Sequence, residues 1–440
     1  MSGMIPPIDE THDPARTSWV AGADGHADFP VQNLPLGIFS PKGAAPRGGM
    51  AIGESILDLA ALAASGLLDG EARTAAEAAA GGTLNPLLAL GAAPRRALRA
   101  RVSALLSDPF HRTRVEPLLH AAADCTMHLP TAIGDYTDFY VGIHHAMNIG
   151  RQFRPDNPLL PNYKHVPIGY HGRASSVRAS GADVRRPNGQ RKAPDAEMPD
   201  YGPSRRLDYE LEMGVWISTG NALGETIPIA EAEAHVAGLS LLNDWSARDL
   251  QAWEYQPLGP FLAKSFVTTV SPWIVTAEAL APFRLAQAAR PQGDPQPLPY
   301  LWDAEDQAHG AYAITLEAHI ATAQMRAQGM APHRLSRGPA GNMYWTIAQM
   351  VAHHASNGCN LNPGDLLGTG TISAPRDDGY GSLLEISRGG QQPVTLPGGE
   401  TRTFLEDGDA LVLTGRMEAE GFVSIGFGPC GGIVTSAAAV

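Results

Sequence analysis

The run "LDYELEMGVW", residues 207–216, places Asp208, Glu210 and Glu212 at every second position. Between them stand Tyr209, Leu211, Met213 and Val215, the residues of a buried strand. Successive side chains of a strand point to opposite faces, so this period of two gives one acidic face and one apolar face. Two readings fit these ten residues. An antiparallel strand with one face in water shows such alternation routinely. The wall of a hard-cation site shows it too, because carboxylates two residues apart stand roughly 7 Å apart at the backbone and can reach one ion that prefers oxygen. Like charges packed together without a counter-ion are costly, so the second reading requires further ligands from elsewhere in the chain.

Working outward, the text around this run is β-like. From about residue 131 onward, many short strand-like runs are broken by Gly, Pro and Asn. Helical patches are expected after Asp138, after Asp244 and over "NMYWTIAQMVAHHASNG", where apolar residues recur at three and four. Residues 1–27 are polar and proline-bearing and read as a mobile extension. Structure is expected to begin near "DFPVQNLPLGIFS", with short strands to about residue 55 and an Ala-rich helical part to about residue 124. The expected organisation is an N-terminal domain over 28–130 followed by a β-rich domain over 131–440.

A length of 440 residues exceeds what one core usually spans, in keeping with two domains. The formal charge of -13 disfavours nucleic acid and anionic membrane surfaces as partners and leaves a small molecule as the expected one. Cys125, Cys359 and Cys430 are far apart and lack CxxC spacing, so neither a disulfide framework nor a zinc knuckle is indicated. The N-terminus lacks the basic start and apolar core of a secretion signal, and no run approaches the ~20 apolar residues of a membrane span; a soluble, cytoplasmic protein is expected. The basic stretch with Arg185, Arg186, Arg191 and Lys192 reads as solvated side chains about a turn at Asn188-Gly189. No Walker or dinucleotide fingerprint is present in the sequence.

Three further stretches hold residues suited to chemistry. In "GDYTDFYVGIHHAMNIG", Asp138 can cap a helix on which His145, seven residues on, returns to the same face, so that an acid and an imidazole share one wall; in isolation a capping acid and a buried, hydrogen-bonded histidine is the more ordinary reading. In "LSLLNDWSARDLQAWEYQPLGPFLAKSF", a strand ends at Asp244 and a short helix carries Arg248 and Gln251 at i and i+3. Lys264 follows a turn rich in Pro and Gly. Three donors near an acid cluster suit an anionic substrate or a developing oxyanion, and ordinary salt bridges suit them too. In "GDLLGTGTISAPRDDGYGSLLEIS", small residues let backbone approach a ligand, and Glu385 stands among Leu383, Leu384 and Ile386. It is read either as an exposed strand residue or as the carboxylate beside a histidine base.

Taken together and in order, "TDFY", "HHAMNIG", "LLPNYKHVPIGYHGRASS", "RLDYELEMG", the "LNDWSARD" stretch, "GCNLNPGDLLGTGTIS" and "DGDALVLTG" resemble the fumarylacetoacetase (fumarylacetoacetate hydrolase) family over about residues 28–435. The resemblance implies a mainly β fold: a small N-terminal SH3-like barrel, then a large mixed β-roll domain of the fumarylacetoacetase C-terminal type, in a homodimer. It implies hydrolysis of a carbon-carbon bond of fumarylacetoacetate to fumarate and acetoacetate, the last step of tyrosine and phenylalanine breakdown.

Carried over residue by residue, Asp138, Glu210, Glu212 and Asp244 match the ligands of one Ca²⁺ or Mg²⁺ ion, with Lys264 and Thr268 in its outer sphere. His145 matches the general base and Glu385 the carboxylate that orients it. Arg248, Gln251 and Lys264 match the group that stabilises oxyanion and leaving carbanion. Tyr140, Arg154, Tyr170, Arg248, Gln251, Tyr255 and Thr371 match substrate contacts. Val267 stands beside the metal site where the family's animal members carry Gly, and the N-terminal tail is longer. The alternatives are a related acylpyruvate-type hydrolase or 2-oxo-diene-dioate isomerase of the same superfamily, or a non-catalytic calcium-stabilised binding protein. Shorter chains without "DFPVQNLP" count against the former, and retention of both His145 and Glu385 counts against the latter.

Overall fold

A computed structural model describes residues 5–439. Its principal element is a mixed sheet running in the order Leu119–Ala121, Ser55–Asp58, Arg47–Ile52, Leu36–Pro41, Trp273–Thr276, Val236–Asp244, Leu211–Ile217, Leu366–Gly368, Tyr136–Phe139 and Gly169–His171. A second sheet joins His333–Pro339, Ile314–Ala321, Ala410–Met417, Cys430–Thr435 and Val184–Arg185. The fold is therefore mixed and dominated by sheet.

The acidic run is in two pieces rather than one strand, and only the second lies at the centre of the first sheet. Leu207–Asp208 pairs with Ser246–Ala247, whereas Leu211–Ile217 pairs with Val236–Asp244 on one side and Leu366–Gly368 on the other. At the break, the Glu210 amide donates to Asn243 Oδ1 at 3.1 Å instead of to a neighbouring carbonyl. All ten residues 207–216 are buried, which rules out the half-solvated strand. Leu211, Met213 and Val215 enter the core that also takes Leu316, Ile320, Leu411 and Leu413 of the second sheet. Trp216 turns to the opposite core with Leu242 and Leu366, and its indole N–H is satisfied by Ser240 Oγ at 2.8 Å.

That opposite core is closed by the N-terminal part of the chain. Helices Gly70–Ala78 and Ala92–Ser107 contribute Ala75, Ala76, Leu98, Val102 and Leu105 to it, small alanines allowing close approach. Leu36–Pro41 pairs with Arg47–Ile52, with Cys125–His128 and, at Leu36 and Gly37, with Trp273–Thr276. Leu119–Ala121 and Cys125–His128 are joined by the 3₁₀ turn Ala122–Asp124, and among the described residues they do not pair to close a barrel.

Two expectations are corrected. Of the extension expected to be mobile, residues 1–4 lie outside the described residues, but the stretch after them is packed. Thr11, His12, Val20 and Ala23 are buried. Val20 and Ala23 join the core of the N-terminal part, His12 Nε2 lies 2.9 Å from the Glu278 carbonyl, and a further anchor is Arg99 on the helix Ala92–Ser107. Its buried guanidinium, pulled down to about 10 by burial, needs acceptors and donates to Thr11 Oγ1 at 3.0 Å and to the Gln32 carbonyl at 2.5 Å. Asn188-Gly189, expected as a turn, begins the strand Asn188–Arg191, which pairs with Asp200–Pro203. Gly189 is there for room: a Cβ would lie 2.3 Å from Leu250 Cδ2. The helices expected after Asp138 and Asp244 and over "NMYWTIAQMVAHH" are Ile143–Phe153, Arg248–Glu254 and Ile347–His354. The three cysteines are free thiols, and among the described residues no helix is long and apolar enough to cross a membrane.

Candidate active site

Three adjacent strands bring acids together. Asp138 does not cap a helix; it is inside the strand Tyr136–Phe139, and the helix starts later, at Ile143. The strand Leu366–Gly368 lies between this strand and Leu211–Ile217, with Gly368 opposite both Asp138 and Gly214. A Cβ at position 368 would sit 2.5 Å from Asp138 Oδ1 and 3.2 Å from Glu212 Oε2, so glycine is what lets the two carboxylates converge. Asp244 arrives from the end of Val236–Asp244. Ligand oxygens of Asp138, Glu212 and Asp244 all lie within 4.8 Å of one another, and all three residues are buried.

These acids fit a divalent cation. Asp138 Oδ1 and Glu212 Oε1 are buried without a hydrogen-bond partner. Burial first, and then the charge of Asp244, pushes the Asp138 carboxyl well above the usual carboxylate range; burial and then Asp138 do the same to Glu212. Lys264 opposes this at both carboxyls without outweighing burial and the neighbouring acids. Five buried carboxylates, counting Asp208 and Glu210, stand against two buried cations, Arg248 and Lys264. A dication removes most of the excess. Oxygen-only donors of this kind suit calcium or magnesium.

Glu210 is outside that group of three. Its carboxylate is bonded by Lys264 Nζ and, at 2.8 Å, by Arg248 Nη1. Burial alone would raise it, but Lys264, Arg248 and His145 outweigh burial and hold it well below the usual range. Lys264 also donates to Asp244 Oδ2 at 2.8 Å, and these two acids keep its ammonium charged against the effect of burial. Thr268 Oγ1 donates to Asp244 Oδ1 at 2.7 Å, and Tyr170 Oη to Asp244 Oδ2 at 3.1 Å. Val267 packs into the main core, so its side chain does not displace the Thr268 hydroxyl from Asp244.

His145, on Ile143–Phe153, places Nδ1 2.7 Å from Glu385 Oε2 and Nε2 4.0 Å from Glu210 Oε1. With Glu385 as acceptor, Nδ1 carries the proton and Nε2 is left as the basic nitrogen toward the acids. Glu385 is neither on a strand nor exposed. It sits on the short helix Leu383–Ile386, capped by Ser382, and is fully enclosed. Burial would raise its carboxyl, but His145 and bonds from Asn148 and Ser382 hold it below the ordinary value. Asn148 Nδ2, Ser373 Oγ and Ser382 Oγ donate to it at 2.9, 2.9 and 2.8 Å. Sequence reasoning missed these three, although Asn148 is three residues from His145 and therefore shares its helix face.

Arg248 and Gln251 do face together, with Arg248 Nη1 3.1 Å from Gln251 Oε1. Arg248 Nη2 is buried and unpaired, a donor free for another oxygen. Tyr140 packs edge-on against the His145 ring at 5.7 Å. Arg154 Nη2 reaches only the Pro158 carbonyl at 3.4 Å and its Nε is unpaired; Thr371 is buried beside Gly142. Among the described residues, neither Arg154 nor Tyr255 bonds the acids through its side chain. A cavity of about 220 Å³ opens on Tyr170, Asp244, Lys264, Thr268 and Phe261. A larger cavity of about 600 Å³, lined by Arg96, Arg284 and Asp306, is built elsewhere and contains none of these acids.

Residues 136–434 match the family model described as fumarylacetoacetate (FAA) hydrolase C-terminal, and residues 32–130 match that described as fumarylacetoacetase N-terminal. The chain belongs to the fumarylacetoacetase family. This family member is 48% identical over 422 residues to the fumarylacetoacetase of Caenorhabditis elegans, covering 94% of this chain and 97% of the relative. It is 46% identical over 419 residues to that of Arabidopsis thaliana, covering 93% and 96%, and 46% identical over 420 residues to that of Homo sapiens, covering 93% and 97%. Among solved structures, a fumarylacetoacetate hydrolase from Exiguobacterium antarcticum aligns with a TM-score of 0.50 over 92% of this chain and 99% of its own. At 16% identity this shows a shared fold.

Proposed function

We propose that this member of the fumarylacetoacetase family hydrolyses the carbon-carbon bond of fumarylacetoacetate, giving fumarate and acetoacetate at the end of tyrosine and phenylalanine breakdown. The observation that carries the reading is the His145–Glu385 contact of 2.7 Å beside a buried acid group with two unpaired oxygens. A cation-binding protein without catalysis has no use for a histidine whose second nitrogen is held by an enclosed carboxylate.

Water is too weak an acid to add to a ketone at neutral pH without a base. His145 Nε2 takes the proton of the attacking water, and Glu385 keeps Nδ1–H in place and favours the imidazolium that forms. The oxyanion collapses with cleavage of the bond to the methylene that lies between the two ketone carbonyls. The departing carbanion is delocalised into its own carbonyl and takes up the proton held by the His145 imidazolium, becoming the methyl of acetoacetate. Arg248 Nη2 and Lys264 Nζ are donors for the charge that develops, and Gln251, bonded to Arg248, steadies the former. Tyr140, Arg154, Tyr170, Tyr255 and Thr371 are assigned to substrate binding, with Arg154 suited to a terminal carboxylate. A calcium or magnesium ion held by Asp138, Glu212 and Asp244, with Glu210 beside them and Lys264 and Thr268 outside, would supply Lewis-acid polarisation of the dicarbonyl oxygens.

The finer architecture belongs to the same reading: an SH3-like N-terminal domain over 28–130, a β-roll domain over 131–440, a homodimer, and a cytoplasmic location. The 3₁₀ corner Ala122–Asp124 between two short strands supports the SH3-like assignment. The test is the loss of fumarylacetoacetate absorbance on adding the purified chain with calcium or magnesium. No loss with either ion overturns the proposal.

A further inference from the structure

Asp208 is the acid of the "DYELE" run that no ligand set uses, yet it is fully buried. Its carboxylate is completely engaged. Oδ1 accepts from the amides of Tyr209 at 2.9 Å and Leu383 at 2.8 Å, and Oδ2 accepts from the Leu384 amide at 3.0 Å and from Arg248 Nε at 2.9 Å. Two of these partners immediately precede Glu385. The fourth is the guanidinium whose Nη1 bonds Glu210 and whose Nη2 is unpaired. One carboxylate therefore spans from the backbone that carries the Glu385–His145 pair to the cation assigned to the developing charge.

We infer that Asp208 is a positioning residue for the reaction: a strut that fixes Arg248 relative to Glu385, so that base and charge-stabilising donor hold one geometry. Resting on the proposed activity, this goes beyond it by giving the one unassigned acid a task. The guanidinium needs such a clamp. Without Asp208 its only bonds, to Glu210 and Gln251, both leave from Nη1 and let the guanidinium tilt about that nitrogen, whereas a bond through Nε to a second carboxylate fixes the plane in which Nη2 points. Misplacement of a reacting group by about 1 Å costs on the order of 10²-fold in rate. Arg248 also matches a substrate contact, but the charge that its Nη2 meets develops only on the way to products, so most of the cost falls on kcat.

Asp208→Asn is the test, because it keeps the size and replaces one acceptor by a donor that Arg248 Nε and the amides cannot use. With the full-length chain loaded with magnesium, kcat is expected to fall about 10²-fold while KM stays within about threefold and bound metal is unchanged. Asp208→Asn with Arg248→Gln should be no slower than Arg248→Gln alone, since the two act as one unit. Losses that multiply in the double variant, or an Asp208→Asn enzyme of normal kcat, overturn the inference. Should Asp208→Asn not fold, Asp208→Glu keeps the charge but lengthens the strut. It too must lose kcat with little change in KM, and full turnover overturns the inference. Amide exchange gives a readout independent of substrate: the Leu383 and Leu384 amides should exchange faster in either variant, and unchanged protection rejects the strut. An inactive wild type with this exchange response would instead reject the activity and leave the strut standing.

Discussion

At the scale of single residues, the arrangement separates the base from the groups that only orient it. His145→Asn should lower kcat by roughly 10² to 10⁴ with metal content unchanged, the range for lost general-base catalysis. Glu385→Gln should lose less, and the double variant should be little slower than His145→Asn alone. Steady-state kinetics on the three proteins checks this; independent losses would break the pair. A second prediction concerns Asp306, far from the acid group. Burial pushes its carboxyl up from 3.8 to about 6, partly opposed by Gln307, whose Nε2 donates to Asp306 Oδ2 at 3.1 Å. A carboxyl whose folded value is raised binds its proton more tightly in the folded state. The stability it contributes is complete below 3.8 and is lost as the pH rises through about 6. Asp306→Asn should therefore be more stable than wild type by roughly 1–3 kcal/mol at pH 8. The gain should grow between pH 4 and 6 and then level off. Thermal melts across that range decide it.

At the scale of elements, the site is a property of strand order. Leu366–Gly368 runs parallel to Tyr136–Phe139 and antiparallel to Leu211–Ile217, and this sets Asp138 and Glu212 either side of a residue without a side chain. Gly368→Ala should cost at least tenfold in divalent-cation affinity, because the added Cβ meets a short, buried carboxylate with nowhere to go. Calorimetric titration with magnesium measures it, and unchanged affinity would refute this account of the cradle. The break at Tyr209 and Glu210 matters in the same way. A continuous strand would put Asp208, Glu210 and Glu212 in one row. With the ladder interrupted, Glu212 faces Asp138, Glu210 faces Lys264, and Asp208 faces Arg248.

At the scale of the whole molecule, the N-terminal part is continuous with the rest. One core contains Leu36, Leu62, Leu98 and Val102 together with Trp216, Leu242, Ile274 and Leu366. Arg95, on the helix Ala92–Ser107, meets Glu278 through Nε at 3.1 Å and Nη2 at 2.9 Å, and Ser218 through Nη1 at 2.9 Å, all buried. Arg95→Ala should destabilise the chain by about 3–5 kcal/mol, since it leaves Glu278 buried and unpaired. Denaturant unfolding should show the loss as a shift of a single transition; two separate transitions would contradict one shared core. Removal of divalent ions by exhaustive chelation should lower both activity and melting temperature, because an ion that binds only the folded chain stabilises it. Full activity after chelation would remove the metal from the proposal.

The sequence by itself determined what local chemistry fixes. The family motifs pointed to the acids, His145 and Glu385, whose roles are part of the proposal. The period of two at 207–216 marked Leu211, Met213 and Val215 as one apolar face, and the i, i+3 spacing joined Arg248 to Gln251. These survive because side-chain identity and short spacing do not depend on what lies across the core. Only the tertiary structure decided the rest. Asp138 read as a helix cap until strand pairing placed it opposite Gly368. Glu385, taken on its own, read as a solvated strand residue until the chain closed Asn148, Ser373 and Ser382 around it. The packing of residues 5–27 depended on the helix Ala92–Ser107 and on Glu278, both distant in the chain, and the break that gives Asp208 its own partners depended on Asn243. Each turns on which distant group satisfies a buried polar atom. Sequence spacing carries no record of that, since contacts across a sheet are set by strand order and register.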